Sequence, residues 1–381
     1  MPPSMRRSSL RISRFAHIDR IDVELGDLTV LVGPQGSGKS IALQLFKLGH
    51  DKHEIVSALR DSAEAFDDPS RFLDLYLGRG MGNGLHRHTH IEVDGKPVDI
   101  ARIARSRGTA ATGRVFYIPA QRALLLADGY PAPFKRLTLD TPTVARLFSE
   151  TLFKLFSSRT NSPLFPVERE WKIDYRDAID DAVYHGGAIQ IDEADGRYRL
   201  SLAFADKTTL PFMTWTAGQR EFTPLLFGLY HLIPPRRKTK VDGIDWVVIE
   251  EPEMGLHPQA LSVVLLLVLE LLSRGYRVIL STHATLVLDV VFTLRTLAER
   301  TQRAPDALFS AFGIRKYAAT RRVLDAALRY SYRTYLLQFE GSHVVSKDIS
   351  ALDPSSGDKA EAEWGGLTGF SSSFNRVLLA D

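Results

Sequence analysis

The chain has 381 residues and no cysteine. Disulfides and thiolate metal sites are excluded, which suits a reducing cytoplasm. It also lacks a long apolar run. The longest, Val263 to Leu269, falls far short of the about 20 residues that a membrane span needs. The first residues, MPPSMRRSSLRISRF, carry no apolar core of a secretion signal. A cytoplasmic chain with no membrane partner is the expectation. No large excess of one charge is present either: the net charge of +3 neither requires nor excludes nucleic acid. There is no internal repeat, and no heptad run long enough for an extended coiled-coil arm. What remains is ordinary globular composition, 44% hydrophobic and 24% charged, with enough apolar material for a sizeable core.

Against that plain background one segment stands out. Gly33-Pro34-Gln35-Gly36-Ser37-Gly38-Lys39-Ser40 fits G-x-x-x-x-G-K-[ST], the P-loop pattern. The apolar Leu28 to Val32 leads into it as a buried strand, and Ile41, Leu45, Phe46 and Leu48 follow with helical spacing. Glycines in that context let backbone N–H groups curl around phosphate oxygens at a helix N-terminus. Lys39 is placed to reach the β- and γ-phosphates of ATP, and the Ser40 hydroxyl to ligate Mg²⁺.

Further along, Trp246 to Ile249 reads as a buried strand ending in Glu250-Glu251. Such a strand delivers one acid to the Mg²⁺ water shell, here Glu250, and the next, Glu251, to the attacking water. Alone, an acid pair after a strand says little; with the P-loop in the same chain it says more. Ser281-Thr282-His283 closes the next strand, Arg277 to Leu280, and His283 can sense a γ-phosphate. Trp215-Thr216-Ala217-Gly218-Gln219 opens a helix. Thr216 can cap it, and Gly218 and Gln219 can face a second phosphate site; a simple N-cap is the plainer alternative. Gln121, after the strand Val115 to Ile118, can place its amide near Mg²⁺ and the water. Arg122 beside it can contact phosphate or pair with an acid.

The order of P-loop, Gln121, Thr216-Ala217-Gly218-Gln219, Glu250-Glu251 and His283 resembles an ABC-type ATPase head. The phrase Glu250-Glu251-Pro252-Glu253-Met254-Gly255-Leu256-His257-Pro258 resembles the AAA-family ATPases of the overcoming-lysogenization-defect branch, relatives of the RecF and SMC heads. The resemblance covers residues 9–50, 115–122 and 198–290. It implies an α/β fold of the P-loop NTPase type: an ABC-ATPase head with a mixed sheet, an N-terminal antiparallel β subdomain and a helical insertion. The expected division is 1–125 for the first part of the head, 126–187 for the insertion, 188–345 for the second part and 346–381 for a tail.

The resemblance further implies ATP-driven pairing of two heads as a homodimer or higher homo-oligomer. Lys39 and Ser40 of one head would face Thr216 and Gly218 of the other, with Gly255 to Pro258 at the dimer centre. It also implies ATP hydrolysis that controls a separately encoded nuclease or toxin effector in anti-phage defence. A RecF-like DNA-binding ATPase in repair is the alternative, and a transporter subunit a third reading. A nuclease in this chain is not expected, because Asp348, Asp353 and Asp358 fall in a polar loop. His86, His88 and His90 alternate on a hairpin strand, read as a solvated face rather than a metal site. Basic residues at Arg6, Arg7, Arg11, Arg14, 236–240, Arg315, Lys316, Arg321 and Arg322 leave DNA contact and simple solvation both open.

Overall fold

A computed structural model describes residues 8–62, 65–109, 112–126, 129–159, 163–166, 172–194, 196–234, 239–300 and 305–378. Arg6, Arg7, Asp195 and residues 236–238 lie outside the described residues. The strands are β1 Ser8–Phe15, β2 Ile18–Leu25, β3 Leu28–Val32, β4 Leu85–Val93, β5 Lys96–Pro97, β6 Val115–Ile118, β7 Ala188–Ala194, β8 Arg197–Ala203, β9 Thr209–Pro211, β10 Trp246–Glu250, β11 Arg277–Ser281, β12 Tyr332–Glu340 and β13 His343–Asp348. The helices are α1 Lys39–Asp61, α2 Pro69–Leu77, α3 Ile100–Ala104, α4 Thr143–Ser157, α5 Ile173–Ile179, α6 Ala217–Leu232, α7 Pro258–Ser273, α8 Thr285–Glu299, α9 Pro305–Phe312, α10 Ala318–Ala327, α11 Lys359–Ala362 and α12 Gly369–Leu378.

Ten strands form one mixed sheet in the order β5-β4-β1-β2-β13-β12-β3-β11-β10-β6; β7, β8 and β9 form a small second sheet. Strands β12, β3, β11, β10 and β6 run parallel to one another, while β12 is antiparallel to β13. Their apolar runs are continuous because both faces are covered. Val30, Ile118, Ile249 and Leu280 point into one core, and Leu31, Tyr117, Val248 and Ile279 into the other. Helices α1, α2 and α3 supply the second core; α6, α7, α8 and most of α4 supply the first. Helix α7 is buried almost all round, which its uniformly apolar sequence requires. The antiparallel strands β1, β2, β4 and β5 form one wing of the same sheet. On its outer face Arg11 bridges Asp22 and Glu92 from the neighbouring strands.

Strands β12 and β13 sit between β2 and β3, inside the sheet. One feature differs from the sequence-based expectation. Asp348 is not in a loop but closes β13, where it faces Arg333 at 3.7 Å. Asp353 accepts from the Ser355 amide, and Asp358 caps α11 and pairs with Lys347. These acids serve local structure, and among the described residues no group of three His, Cys, Asp or Glu can hold a metal. His86, His88 and His90 are exposed on β4. The segment 126–187 is helical through α4 and α5, but Phe148, Leu152, Phe156, Tyr175 and Tyr184 share the core that holds Val247 and Ile249. Among the described residues, no helix is long and apolar enough to cross a membrane.

Candidate functional site: a phosphate-binding loop and paired carboxylates

The parallel strands bring their C-terminal ends to one edge, where open α/β sheets bind ligands. Glu250 on β10 pairs with Ser281 on β11, and Ser281 pairs with Leu31 on β3. The P-loop, the carboxylate pair and the histidine are thus gathered from positions more than 200 residues apart.

Gly33, Gly36 and Gly38 all adopt positive φ (146°, 75° and 80°), which turns the loop back on itself. Gly33 is also forced by space: a Cβ there would sit 2.2 Å from the Leu337 carbonyl of β12. Gly38 stands at the N-cap of α1, and no side chain caps that helix. The first-turn N–H groups of a long helix are therefore open to an anion. Pro34, Gln35 and Gly36 are exposed at the loop tip, while Ser37, Gly38 and Lys39 are buried. Lys39 folds over the loop, its Nζ donating to the carbonyls of Gly33 (2.8 Å) and Pro34 (3.0 Å). Burial pushes this ammonium down from the usual lysine range, while Glu251, Glu253 and Glu250 pull it back.

Glu250 is buried at the end of β10. Its Oε2 accepts from the Ala120 amide at 3.3 Å, and Oε1 has no hydrogen-bond partner of full geometry. Burial pushes its carboxyl up; the Ser40 and Tyr117 hydroxyls lie close enough to oppose this. A buried oxygen without a partner, beside the Ser40 hydroxyl, fits a hard cation such as Mg²⁺. Glu251 has φ +41°, unusual for a side chain larger than glycine. Its amide donates to the Ser281 carbonyl at 2.9 Å, which fixes the turn to β11. Its Oε1 lies 3.6 Å from His283 Nε2, and both side chains are partly exposed. The His283 amide donates to Glu253 Oε1 at 2.5 Å, tying the turn after β10 to the turn after β11. Gln121 is exposed, one residue beyond the Ala120 amide that holds Glu250.

The start of α6 is a complete capping box. Thr216 Oγ1 accepts from the Gln219 amide, and Gln219 Oε1 accepts from the Thr216 amide. Gln219 Nε2 also donates to the Val183 carbonyl at 3.0 Å. Both ends of the Gln219 amide are engaged within the chain, in a capping role. Thr216 and Ala217 are exposed. A Cβ on Gly218 would lie 3.1 Å from the Gly255 carbonyl, so the turn packs against the segment after the carboxylates. Among the described residues, no hydrogen bond or ion pair joins Thr216, Gly218 or Gln219 to the P-loop of the same chain.

Arg122 departs from expectation. It neither reaches the P-loop nor ion-pairs with an acid; it is fully buried and donates to backbone carbonyls, including Glu221 (3.1 Å) and Glu250 (3.1 Å). Burial pushes it down to about 10, against the pull of Glu221, Glu253, Glu251 and Glu250, so it stays charged at neutral pH. Sequence reasoning also missed His17 and Phe339. Their rings stack at 6.1 Å, and His17 Nε2, buried and unpartnered, lies over Gly38. Nothing local marks either residue, because the contact joins the β1–β2 turn to β12. Among the described members of the basic groups, Arg11 pairs with two acids, Lys316 and Arg321 with Asp306, and Lys240 with Asp245.

Residues 155–289 match the family model described as "AAA domain, putative AbiEii toxin, Type IV TA system". This span holds the capping turn, the carboxylate pair and His283, but not the P-loop. No curated protein matches the chain. Among solved structures, the SMC head domain from Thermotoga maritima is similar at 12% identity and a TM-score of 0.40, over 90% of this chain and 99% of that one. The SMC head bound to the C-terminal winged-helix domain of ScpA gives 12% and 0.40, over 89% and 96%. An SMC head with an extended coiled coil, bound to the C-terminal domain of ScpA from Pyrococcus furiosus, gives 10% and 0.37, over 89% and 95%. At such scores the likeness adds nothing to the strand order described above.

Proposed function

We propose that the chain is an ATP-binding and ATP-hydrolysing ABC-type subunit. One observation carries this reading: an uncapped helix behind a P-loop shares its strand edge with a buried, half-partnered Glu250 and a Glu251–His283 pair. Phosphates are bound by the first-turn amides of α1 and by Lys39, which trades its carbonyl acceptors for phosphate oxygens. Ser40 and Glu250 would hold Mg²⁺, which when bound would neutralise phosphate charge. Glu251 orients a water in line with the γ-phosphorus and takes its proton as the P–O bond to ADP breaks. His283 hydrogen-bonds the γ-phosphate and holds Glu251 in place. Gln121 reaches the same water from the far side. His17 and Phe339, stacked over Gly38, flank the base.

The exposed Thr216 and Ala217 support completion of the site by a second copy, in a homodimer or larger oligomer. The toxin–antitoxin wording of the matched model supports a place in such a system, and a separately encoded toxin or nuclease is the effector we propose it controls.

The test is Glu251→Gln. ATP still binds, a dimer accumulates in sedimentation, and phosphate release falls about 100-fold or more, as for loss of a general base. Turnover at the wild-type rate removes Glu251 from that role; absence of ATP binding by the wild-type chain removes the whole reading. Tagged Glu251→Gln trapped with ATP in its host then recovers a stoichiometric effector. Recovery of DNA with repair proteins instead assigns the subunit to genome maintenance.

A further inference from the structure

We infer that Arg122 is a positioning residue that clamps the helix bearing Thr216 and Gly218 to the turn bearing the catalytic carboxylates. This rests on the ATPase reading and extends it to how the two faces of the head are joined. The side chain is fully buried, and its fork meets three segments of chain. Nε donates to the Glu221 carbonyl in the first turns of α6 at 3.1 Å. Nη1 donates to Pro119 at 3.3 Å, to Glu250 at 3.1 Å and to Glu251 at 3.3 Å. Nη2 donates to Glu251 at 3.3 Å and Pro252 at 3.4 Å. Among the described residues it makes no ion pair.

A buried guanidinium held only by carbonyls is an expensive way to join chain segments. Its advantage is geometric: five N–H donors in a rigid plane reach acceptors that no single neutral side chain spans. The acceptors are informative too. Glu250 ends β10, Glu251 has φ +41°, and Pro252 follows, so the clamp grips the backbone at its least regular point. A second contact runs alongside it, where Gly218 packs on Gly255. Helix α6 therefore cannot tilt when Thr216 and Gly218 meet a ligand without pulling on the Glu251 carbonyl. Through Arg122, occupation of the exposed turn sets the position of Glu251.

The discriminating variant is Arg122→Lys, which keeps the charge and loses the fork. The expected result is ATP affinity within about twofold, KM little changed and kcat at least 30-fold lower, in a protein whose thermal midpoint shows that it is folded. Adding Thr216→Ala to this background lowers kcat little further, although Thr216→Ala alone lowers it clearly. Parallel loss of kcat, affinity and stability, or full additivity of the two substitutions, overturns the clamp.

Amide hydrogen exchange on the wild-type chain needs neither turnover nor a variant. Residues 217–224 and 250–256 should open as one unit with a common protection; independent opening overturns the inference even if Arg122→Lys fails to fold. Common opening in a chain that does not hydrolyse ATP leaves the clamp standing and removes the ATPase reading instead.

Discussion

Lys39 lets nucleotide recognition be separated from folding. Its Nζ donates to two neutral carbonyls, Gly33 and Pro34, and lies 3.4 Å from Ser37 Oγ. Burial pushes the ammonium down, so the loop holds this charge against a desolvation cost. Two hydrogen bonds from a charged donor are worth about 1.5–3 kcal/mol each. Desolvating an ammonium costs several kcal/mol, and the two nearly cancel. Replacing Lys39 by Met, similar in length and apolar, should therefore change the unfolding free energy by no more than about 1.5 kcal/mol. Phosphate is a different acceptor, because charge now meets charge. Loss of one such contact, at about 1.5–3 kcal/mol, weakens ATP binding by roughly 10- to 150-fold. Urea denaturation gives the first quantity, and titration with a fluorescent ATP analogue in Mg²⁺ gives the second. A Lys39→Met protein that loses more than about 3 kcal/mol of stability, yet binds the analogue within threefold of wild type, would show Lys39 to be a pin for the loop. The phosphate reading of the turn would then fail.

Gly33→Ala meets the Leu337 carbonyl at 2.2 Å in a backbone of φ +146° and should cost about 2–4 kcal/mol; Gly36→Ala has φ +75° but open space, and should cost only about 1–2 kcal/mol. Equal denaturation midpoints for the two would refute the packing of β12 against the P-loop. Lys47 is buried with Asp51 (2.7 Å), Glu54 (2.9 Å) and the Val115 carbonyl (2.8 Å). Lys47→Met strands the two acids and should cost about 3–5 kcal/mol, while the pair Lys47→Met with Asp51→Asn recovers part of that in a double-mutant cycle; simple additivity would count against the network. Burial holds His231, stacked on Phe116, below the usual histidine range. The unfolded chain then binds more protons just below pH 6.5, so stability rises with pH through that window, by at most about 1.4 kcal/mol per pH unit from this group. His231→Phe should flatten the pH dependence of the melting midpoint below pH 6.5, and an unchanged slope would show that other groups set it.

Much of the fold follows from short-range pattern. Leu28 to Val32, apolar but for Thr29, and Trp246 to Ile249 announce buried strands because such near-continuous apolar runs can be satisfied only with both faces covered. The P-loop is legible because its glycines, lysine and serine act within eight residues of each other. The places of β12 and β13 are not legible in this way. Their apolar and β-branched residues suggest strands, but their neighbours are chosen by contacts across 300 positions, such as Ser331 with Asp27 and Leu336 beside Val32. Arg122 is hidden for a related reason. Its acceptors are backbone carbonyls, which exist at every residue and leave no trace in side-chain pattern. Gln219 is ambiguous for the opposite reason: a polar residue at a helix start suits a ligand and a capping box equally well, and its Val183 contact lies 36 positions away.

The phrase from Glu250 to Pro258 shows how little of a recognisable motif need be chemistry. Glu250 ends β10 with one oxygen on the Ala120 amide. Glu251 takes the left-handed turn, and its amide binds the Ser281 carbonyl. Pro252 offers its carbonyl to Arg122. Glu253 reaches back to the His283 amide, and Gly255 at φ +69° lets the chain pass the Glu221 side chain. His257 caps α7 through Nδ1, and Pro258 occupies the first helical position, where its missing N–H costs nothing. In the proposed mechanism only Glu250 and Glu251 of this phrase act on a nucleotide. The remaining residues fix the path of one turn between two carboxylates, adjacent in sequence, that are proposed to face a metal and a water respectively. Arg122 and Glu253 close that turn from opposite sides, one through carbonyls and one through an amide. For that reason the clamp by Arg122, rather than either carboxylate alone, is the point at which we propose that a signal from the exposed turn at Thr216 reaches the chemistry.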